Sequence, residues 1–145
     1  MEKGVDLLEY IKEQFELHEV DIKTYSPLTL AYIGDGIYEL IIRSSLVMRG
    51  NTSVDKFHKR ASRLVKASTQ SAIIEVLLPL LTEEESNIYK RGRNAKSFTV
   101  AKNASMSDYR RATGLEALIG YLYLQGNMKR AVDLVKIGLE KYNQE

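Results

Sequence analysis

Apolar residues recur at intervals of three and four positions along most of the chain, whereas strict alternation of apolar and polar residues is rare. Two prolines and nine glycines interrupt this pattern. The periodicity predicts an all-α fold. The chain has 145 residues without an internal repeat or a low-complexity linker, so we expect a single domain over residues 1–145.

Capping residues and glycines predict where the helices begin and end. Ser26-Pro27 is a typical helix start, and Thr82 with Glu85 predicts a capping box. Gly92 is expected to end a helix, and Ser107 to cap the one that follows. With their caps, the expected helices span residues 4–18, 26–48, 53–66, 68–77, 82–92, 107–125 and 127 onward. Residues 92–107 lack the periodicity and any acid, which predicts a long loop.

Positive charge is concentrated in two windows that contain no acid, residues 56–66 and 90–102. Together they hold ten of the 21 basic residues, so the rest of the chain has 11 basic residues against 19 acidic ones. Concentrated positive charge on an acidic body favours a surface that binds a polyanion such as RNA. Solvated helix faces are the alternative that this pattern leaves open.

Several classes of protein are excluded or disfavoured by what the sequence lacks. There is no cysteine, which excludes disulfides, thiolate metal sites and a cysteine nucleophile. No run of apolar residues approaches the ~20 that a membrane span needs, and the N-terminus lacks the apolar core of a signal peptide. We therefore expect a cytoplasmic protein with no membrane partner.

Asp35 is an unusual residue for its position in the second predicted helix. It lies between Gly34 and Gly36, next to an expected buried stripe of Leu30, Ile33, Ile37, Leu40 and Ile41. A carboxylate in such a helix is costly unless a cation or buried hydrogen bonds compensate for it. A structural carboxylate at a helix crossing and a metal ligand are both open interpretations.

Glu116 repeats this pattern in a second apolar helix, with Gly120 four residues later. If the two helices cross near Gly34 and Gly120, both carboxylates can meet at one hard cation. Magnesium commonly takes one or two protein carboxylates and keeps several waters for phosphate chemistry. The pattern thus indicates a possible acidic metal site beside basic segments, as in a nuclease.

Four segments together resemble the catalytic domain of the ribonuclease III family, and specifically its short Mini subgroup. PLTLAYIGDGIYEL at 27–40 is similar to the family's first motif, and TGLEALIGYLYL at 113–124 to its second. KRGRNAKS at 90–97 and AKNAS at 101–105 resemble the basic loop of the Mini subgroup. The resemblance covers nearly the whole chain and implies the all-helical fold of the family's endonuclease domain.

The resemblance implies that Asp35 is the catalytic aspartate of the first motif and Glu116 the metal-binding glutamate of the second, with Mg²⁺ as cofactor. Two further family carboxylates are absent, because Ala31 and Thr113 stand at their positions. This reduced set is similar to that of the Mini subgroup. We assign no role to Glu39, which lies one turn after Asp35.

The family resemblance also implies a homodimer that cleaves both strands of double-stranded RNA with a stagger. The chain ends at Glu145, so we expect no separate RNA-binding domain and assign binding to the catalytic dimer. The expected RNA-binding residues are Lys59, Arg60, Arg63, Arg91, Arg93, Asn94, Lys96, Lys102 and Asn103. The implied substrate is the precursor of large-subunit (23S) ribosomal RNA, which the enzyme would trim at its double-stranded ends.

Two other functions remain open from the sequence. A non-catalytic dimer that binds double-stranded RNA would explain the basic windows and the residues Ala31 and Thr113. A helical protein-interaction module, with both acids structural, would explain the helices alone. Metal-dependent duplex cleavage distinguishes the enzyme from both, and salt-dependent RNA binding distinguishes the first alternative from the second.

Overall fold

The computed structural model describes residues 6–96 and 105–143, and within these ranges it contains helices and no strand. The α-helices are α1 (Leu7–Gln14), α2 (Pro27–Val47), α3 (Val54–Val65), α4 (Ala67–Leu77), α5 (Glu83–Asn94), α6 (Met106–Leu124) and α7 (Met128–Asn143). Short 3₁₀ helices precede α2 and follow α4, at Ile22–Thr24 and Leu78–Leu80. The predicted all-α class is therefore confirmed. In the described part of the chain, no helix is long and apolar enough to cross a membrane.

Side-chain caps start several helices where the sequence predicted them. Ser26 accepts a hydrogen bond from the backbone N–H of Thr29, with Pro27 as the first residue of α2. Thr82 and Glu85 form the complete capping box at the start of α5. Each cap satisfies backbone N–H groups that have no partner within the helix, which fixes the position at which the helix begins.

Four predicted helix boundaries were wrong. The first helix is shorter than residues 4–18, because it ends at Gln14 and Glu16 adopts a positive φ of 53°. Helix α4 begins at Ala67, immediately after α3, and has no side-chain cap.

Helix α5 continues past Gly92 to Asn94. Ser105, rather than Ser107, caps α6 by accepting from the N–H of Asp108. Of the predicted loop 92–107, residues 97–104 lie outside the described residues.

Helix α6 is the centre of the fold and packs against α2, α4 and α5. From Ala112 to Tyr123 every residue is buried except Glu116, which is half-buried.

The predicted stripe of buried residues on α2 is partly wrong: Leu40 is exposed and Ile33 and Ile41 are only half-buried. Other residues of α2 face the core in their place, namely Tyr38, Ile42 and Leu46.

Helices α2 and α6 cross at two glycines, which is the arrangement that a shared site for the two acids requires. A Cβ atom on Gly34 would lie 1.7 Å from the backbone oxygen of Glu116. One on Gly120 would lie 2.0 Å from the backbone oxygen of Leu30. No side chain fits in either place, so the two backbones are in direct contact. Because Asp35 follows Gly34 and Glu116 lies one turn before Gly120, this crossing brings the two acids together.

We predict that Gly34→Ala destabilises the protein and that Gly36→Ala does not. The first variant must separate the two helices, and such overpacking costs about 1–3 kcal/mol. The second adds a methyl group where no atom lies within 4 Å. Because alanine favours the helix over glycine, it should stabilise by up to about 1 kcal/mol. Urea unfolding of both variants measures this, and equal shifts in the free energy of unfolding would contradict the close crossing.

Candidate active site

Asp35 of α2 and Glu116 of α6 form a pair of carboxyl groups at the helix crossing. Asp35 is exposed, whereas Glu116 is half-buried. The pKa of Glu116 is raised to about 8, first because burial disfavours its charge, and then because Asp35 adds a neighbouring negative charge and a hydrogen bond between the two carboxyls. Two carboxylates held together in this way need a compensating positive charge to ionise fully.

Gln70, in the first turn of α4, contacts this pair from inside the protein and was missed by the sequence reasoning. Its side chain is 3% exposed. Its amide nitrogen donates to the backbone oxygen of Val65 at 2.8 Å and to Glu116 Oε2 at 3.3 Å. Its amide oxygen is buried and has no hydrogen-bond partner among the described residues. The feature of the sequence that could have identified Gln70 is an amide side chain at a core-facing position of an apolar helix.

The residues present fit a divalent cation of the magnesium type. Such a cation prefers oxygen ligands and often takes only one or two protein carboxylates, the remainder being water. Asp35 and Glu116 supply two carboxylates, and the charge repulsion that raises the pKa of Glu116 is what a cation would relieve. Within residues 6–96 and 105–143 no group of three or more acidic, histidine or cysteine side chains is placed to share a metal.

At two positions the family resemblance places a carboxylate that this chain lacks. The residues found there contribute to the packing of the helices. Ala31 is buried on α2, where it packs in the core beside Leu30. Thr113 is buried on α6, where its hydroxyl donates to the backbone oxygen of Tyr109 at 3.0 Å. Glu39, to which no role was assigned, lies 3.5 Å from Arg43 in an exposed ion pair.

The basic residues of α3 are exposed, as a nucleic-acid surface requires. Lys59 lies 3.2 Å from Asp55, whereas Arg60 and Arg63 form no ion pair within the described part of the chain. Both arginines border a cavity of about 620 Å³ between α2, α3 and α7. Arg49 and Lys136 complete its basic rim.

A second basic surface lies where α5 ends and α6 begins. Arg91, Arg93 and Asn94 are in the last turn of α5, not in the loop as predicted. The guanidinium of Arg93 lies over the ring of Tyr89, 5.6 Å from its centre, in a cation–π contact. Exposed Lys96 follows the helix, while Lys102 and Asn103 lie outside the described residues.

Arg110 was not among the predicted RNA-binding residues, although it belongs to this second basic surface. With Arg93, Asn94 and Arg111 it lines a shallow cavity of about 400 Å³. It lies one turn into α6, outside both acid-free windows, which is why charge density along the sequence did not reveal it.

Comparison with known proteins identifies relatives over most of the chain. The Ribonuclease III domain model matches residues 28–127. Mini-ribonuclease 3 of Clostridium tetani is 45% identical over 130 residues, which cover 89% of this chain and 86% of that protein. Mini-ribonuclease 3 of Enterococcus faecalis is 44% identical over 126 residues, covering 86% of this chain and 96% of that protein.

A crystal structure supports the same assignment at the level of the fold. A protein from Fusobacterium nucleatum is 32% identical and superimposes with a TM-score of 0.75, covering 85% of this chain and 98% of its own. The predicted ribonuclease III-like helical fold is thus confirmed. Because the domain model spans more than half of the chain and the relatives cover most of it, the chain belongs to the ribonuclease III family and, within it, to the Mini-ribonuclease 3 group.

Proposed function

We propose that this chain is a Mg²⁺-dependent endonuclease of double-stranded RNA whose active site is the pair Asp35 and Glu116. The observation that carries the proposal is the pair itself: two carboxyls, one exposed and one half-buried, brought together at the crossing of two helices. A purely structural pair would be expected to have a cationic side chain or several donors as compensation. Among the described residues, the donor that compensates Glu116 is a single side-chain amide, that of Gln70.

The two carboxylates have different tasks in this mechanism. Glu116 is fixed by its position in the buried helix α6, so it provides a rigid ligand for the cation. Asp35 is exposed beside Gly36, where the absence of a side chain leaves room for a phosphate to approach. When bound, Mg²⁺ supplies an activated water and stabilises charge on the phosphate. The mechanism therefore requires no protein nucleophile.

The proposed RNA-binding surface consists of exposed basic residues on α3 and of the polar residues at the end of α5, of which Arg93 is half-buried. Lys59, Arg60 and Arg63 lie on α3, the helix that immediately precedes the helix of Gln70. Arg91, Arg93, Asn94 and Lys96 lie near the end of α5, and Lys102 and Asn103 follow in the sequence. Such residues bind phosphates and sugars, and double-stranded RNA is recognised mainly by its shape and 2′-hydroxyls.

The proposed homodimer is supported by an apolar face of α2 that the described part of the chain leaves uncovered. Tyr32 is 82% exposed, and Leu28 and Leu40 are also exposed on the same side of the helix. Asp35 lies at the edge of this face. A second copy seated there would cover the apolar residues and place two active sites along one duplex, which accounts for cleavage of both strands.

The proposed substrate is the double-stranded end region of the large-subunit (23S) ribosomal RNA precursor, matured in the cytoplasm. It is the substrate that the Mini subgroup resemblance implies. A non-catalytic RNA-binding dimer is disfavoured because the acids are paired where a cation fits. A protein-interaction module is disfavoured because it gives no reason for two basic surfaces.

We predict that Asp35→Asn and Glu116→Gln each abolish Mg²⁺-dependent cleavage of double-stranded RNA and leave duplex binding intact. Each change removes one negative charge at the cation and retains the size of the side chain. Cleavage is measured on duplex and single-stranded RNA, and binding by titration in chelator. Glu39→Gln is the matched control, since Glu39 pairs with Arg43 on the same helix. Full activity in either active-site variant would contradict the assignment.

We also predict that the Mg²⁺ concentration for half-maximal cleavage falls as the pH rises from 6 to 8. The metal-free pKa of Glu116 is about 8, above the ordinary value of 4.5, so below pH 8 a proton must leave before a cation can bind. Displacement of one proton changes the required concentration by up to about tenfold per pH unit. The effect should level off above pH 8. A requirement that stays constant over this interval would contradict a raised pKa.

A further inference from the structure

We propose that Gln70 is a positioning residue that holds the Glu116 carboxylate and ties it to the end of the basic helix α3. The inference rests on the proposed function, because it takes Glu116 as a ligand of the cation. It assigns a role in the active site to a residue outside the two acidic motifs, on a third helix.

The end of α3 is held by three side chains. The carbonyl oxygen of Arg63 accepts a hydrogen bond from Thr69 Oγ1 at 2.6 Å, and that of Leu64 accepts one from the Tyr38 hydroxyl at 2.7 Å. The carbonyl oxygen of Val65 accepts from Gln70 at 2.8 Å. These consecutive carbonyls are among the last four of the helix, which have no partner within it. Side chains from α2 and α4 therefore fix α3 in place.

Gln70 differs from the other two because its amide also reaches the active site. Its nitrogen has two hydrogens, and it donates one hydrogen bond to Val65 and one to Glu116. The side chain is almost completely buried, so water does not compete for these bonds. The amide thereby restricts the position of Glu116 Oε2 relative to the backbone of α3.

This link connects the two functional parts of the protein. Helix α3 carries Lys59, Arg60 and Arg63, and only Lys66 separates it from α4. A phosphate backbone bound on α3 is thus placed in a fixed relation to Glu116 through one amide group. Partners of metal ligands commonly change metal affinity or activity about 10–100-fold when removed.

The test compares Gln70→Met with Thr69→Val. Methionine has nearly the length of glutamine and donates no hydrogen bond, so it breaks both contacts of Gln70. Valine has nearly the shape of threonine and removes the neighbouring tie to α3, at the carbonyl of Arg63, together with a longer hydrogen bond of 3.4 Å to the Tyr142 hydroxyl. It does not contact Glu116. Thermal unfolding of both variants reports the loss of a buried hydrogen bond, which is common to the two.

Mn²⁺ binding without RNA, measured by electron paramagnetic resonance, is the decisive readout. We expect Gln70→Met to weaken Mn²⁺ binding about tenfold or more and to lower the single-turnover cleavage rate at saturating RNA. Thr69→Val should change neither. RNA affinity in chelator should be the same for both variants. If the two variants weaken Mn²⁺ binding equally, or neither weakens it, Gln70 has a purely structural role and the inference is overturned.

Two further measurements keep the outcomes distinct. Should Gln70→Met fail to fold, Gln70→Leu replaces it, because its apolar side chain donates to neither partner and must still weaken Mn²⁺ binding relative to Thr69→Val. Wild-type protein and Asp35→Asn are measured in parallel. If the wild-type protein has no Mn²⁺ site that is lost in Asp35→Asn, the proposed function itself is overturned. If that site is present but the Gln70 variant does not weaken it, only this inference is overturned.

Discussion

The direct backbone contact between α2 and α6 is the constraint on which the rest of the structure depends. Gly34 and Gly120 allow this approach, because a Cβ on either would lie within 2.0 Å of a carbonyl oxygen of the other helix. Contact at this distance helps to bury α6 from Ala112 to Tyr123, where Glu116 is the single half-buried position. It also places Asp35 beside Glu116. The core packing and the proposed active site thus share one geometric cause.

The carboxyl pair lowers the stability of this helix crossing when both carboxyls are ionised. Burial and the neighbouring Asp35 raise the pKa of Glu116, so between its ordinary value of 4.5 and about 8 the folded protein retains a proton that the unfolded chain loses. The contribution of Glu116 to stability therefore falls as the pH rises through this interval. A bound cation would remove this cost. Strain of this kind is typical of functional sites, where groups are held in the arrangement that their ligand requires.

The sequence predicted the fold class and the main caps, because each depends on local chemistry, and it indicated Gly34 and Gly120 as the place where two helices could cross. Ser26 and Thr82 satisfy nearby N–H groups, and glycine spacing beside an acid marks a close approach. Gly92 was misjudged because it is not a helix stop: a Cβ there would lie 2.7 Å from that of Ala117. Gln70 and Arg110 were missed because their roles depend on helices far apart in the sequence. Neither belongs to the charged windows or the acidic motifs.

Anomalous diffraction from crystals soaked in Mn²⁺ tests most directly whether Asp35 and Glu116 hold a divalent cation between α2 and α6. We expect wild-type crystals to show an anomalous peak within bonding distance of both carboxylates, about 2.0–2.4 Å from their oxygens, and crystals of Glu116→Gln to show none. A peak elsewhere, or none beside these carboxylates at saturating Mn²⁺, would contradict this expectation.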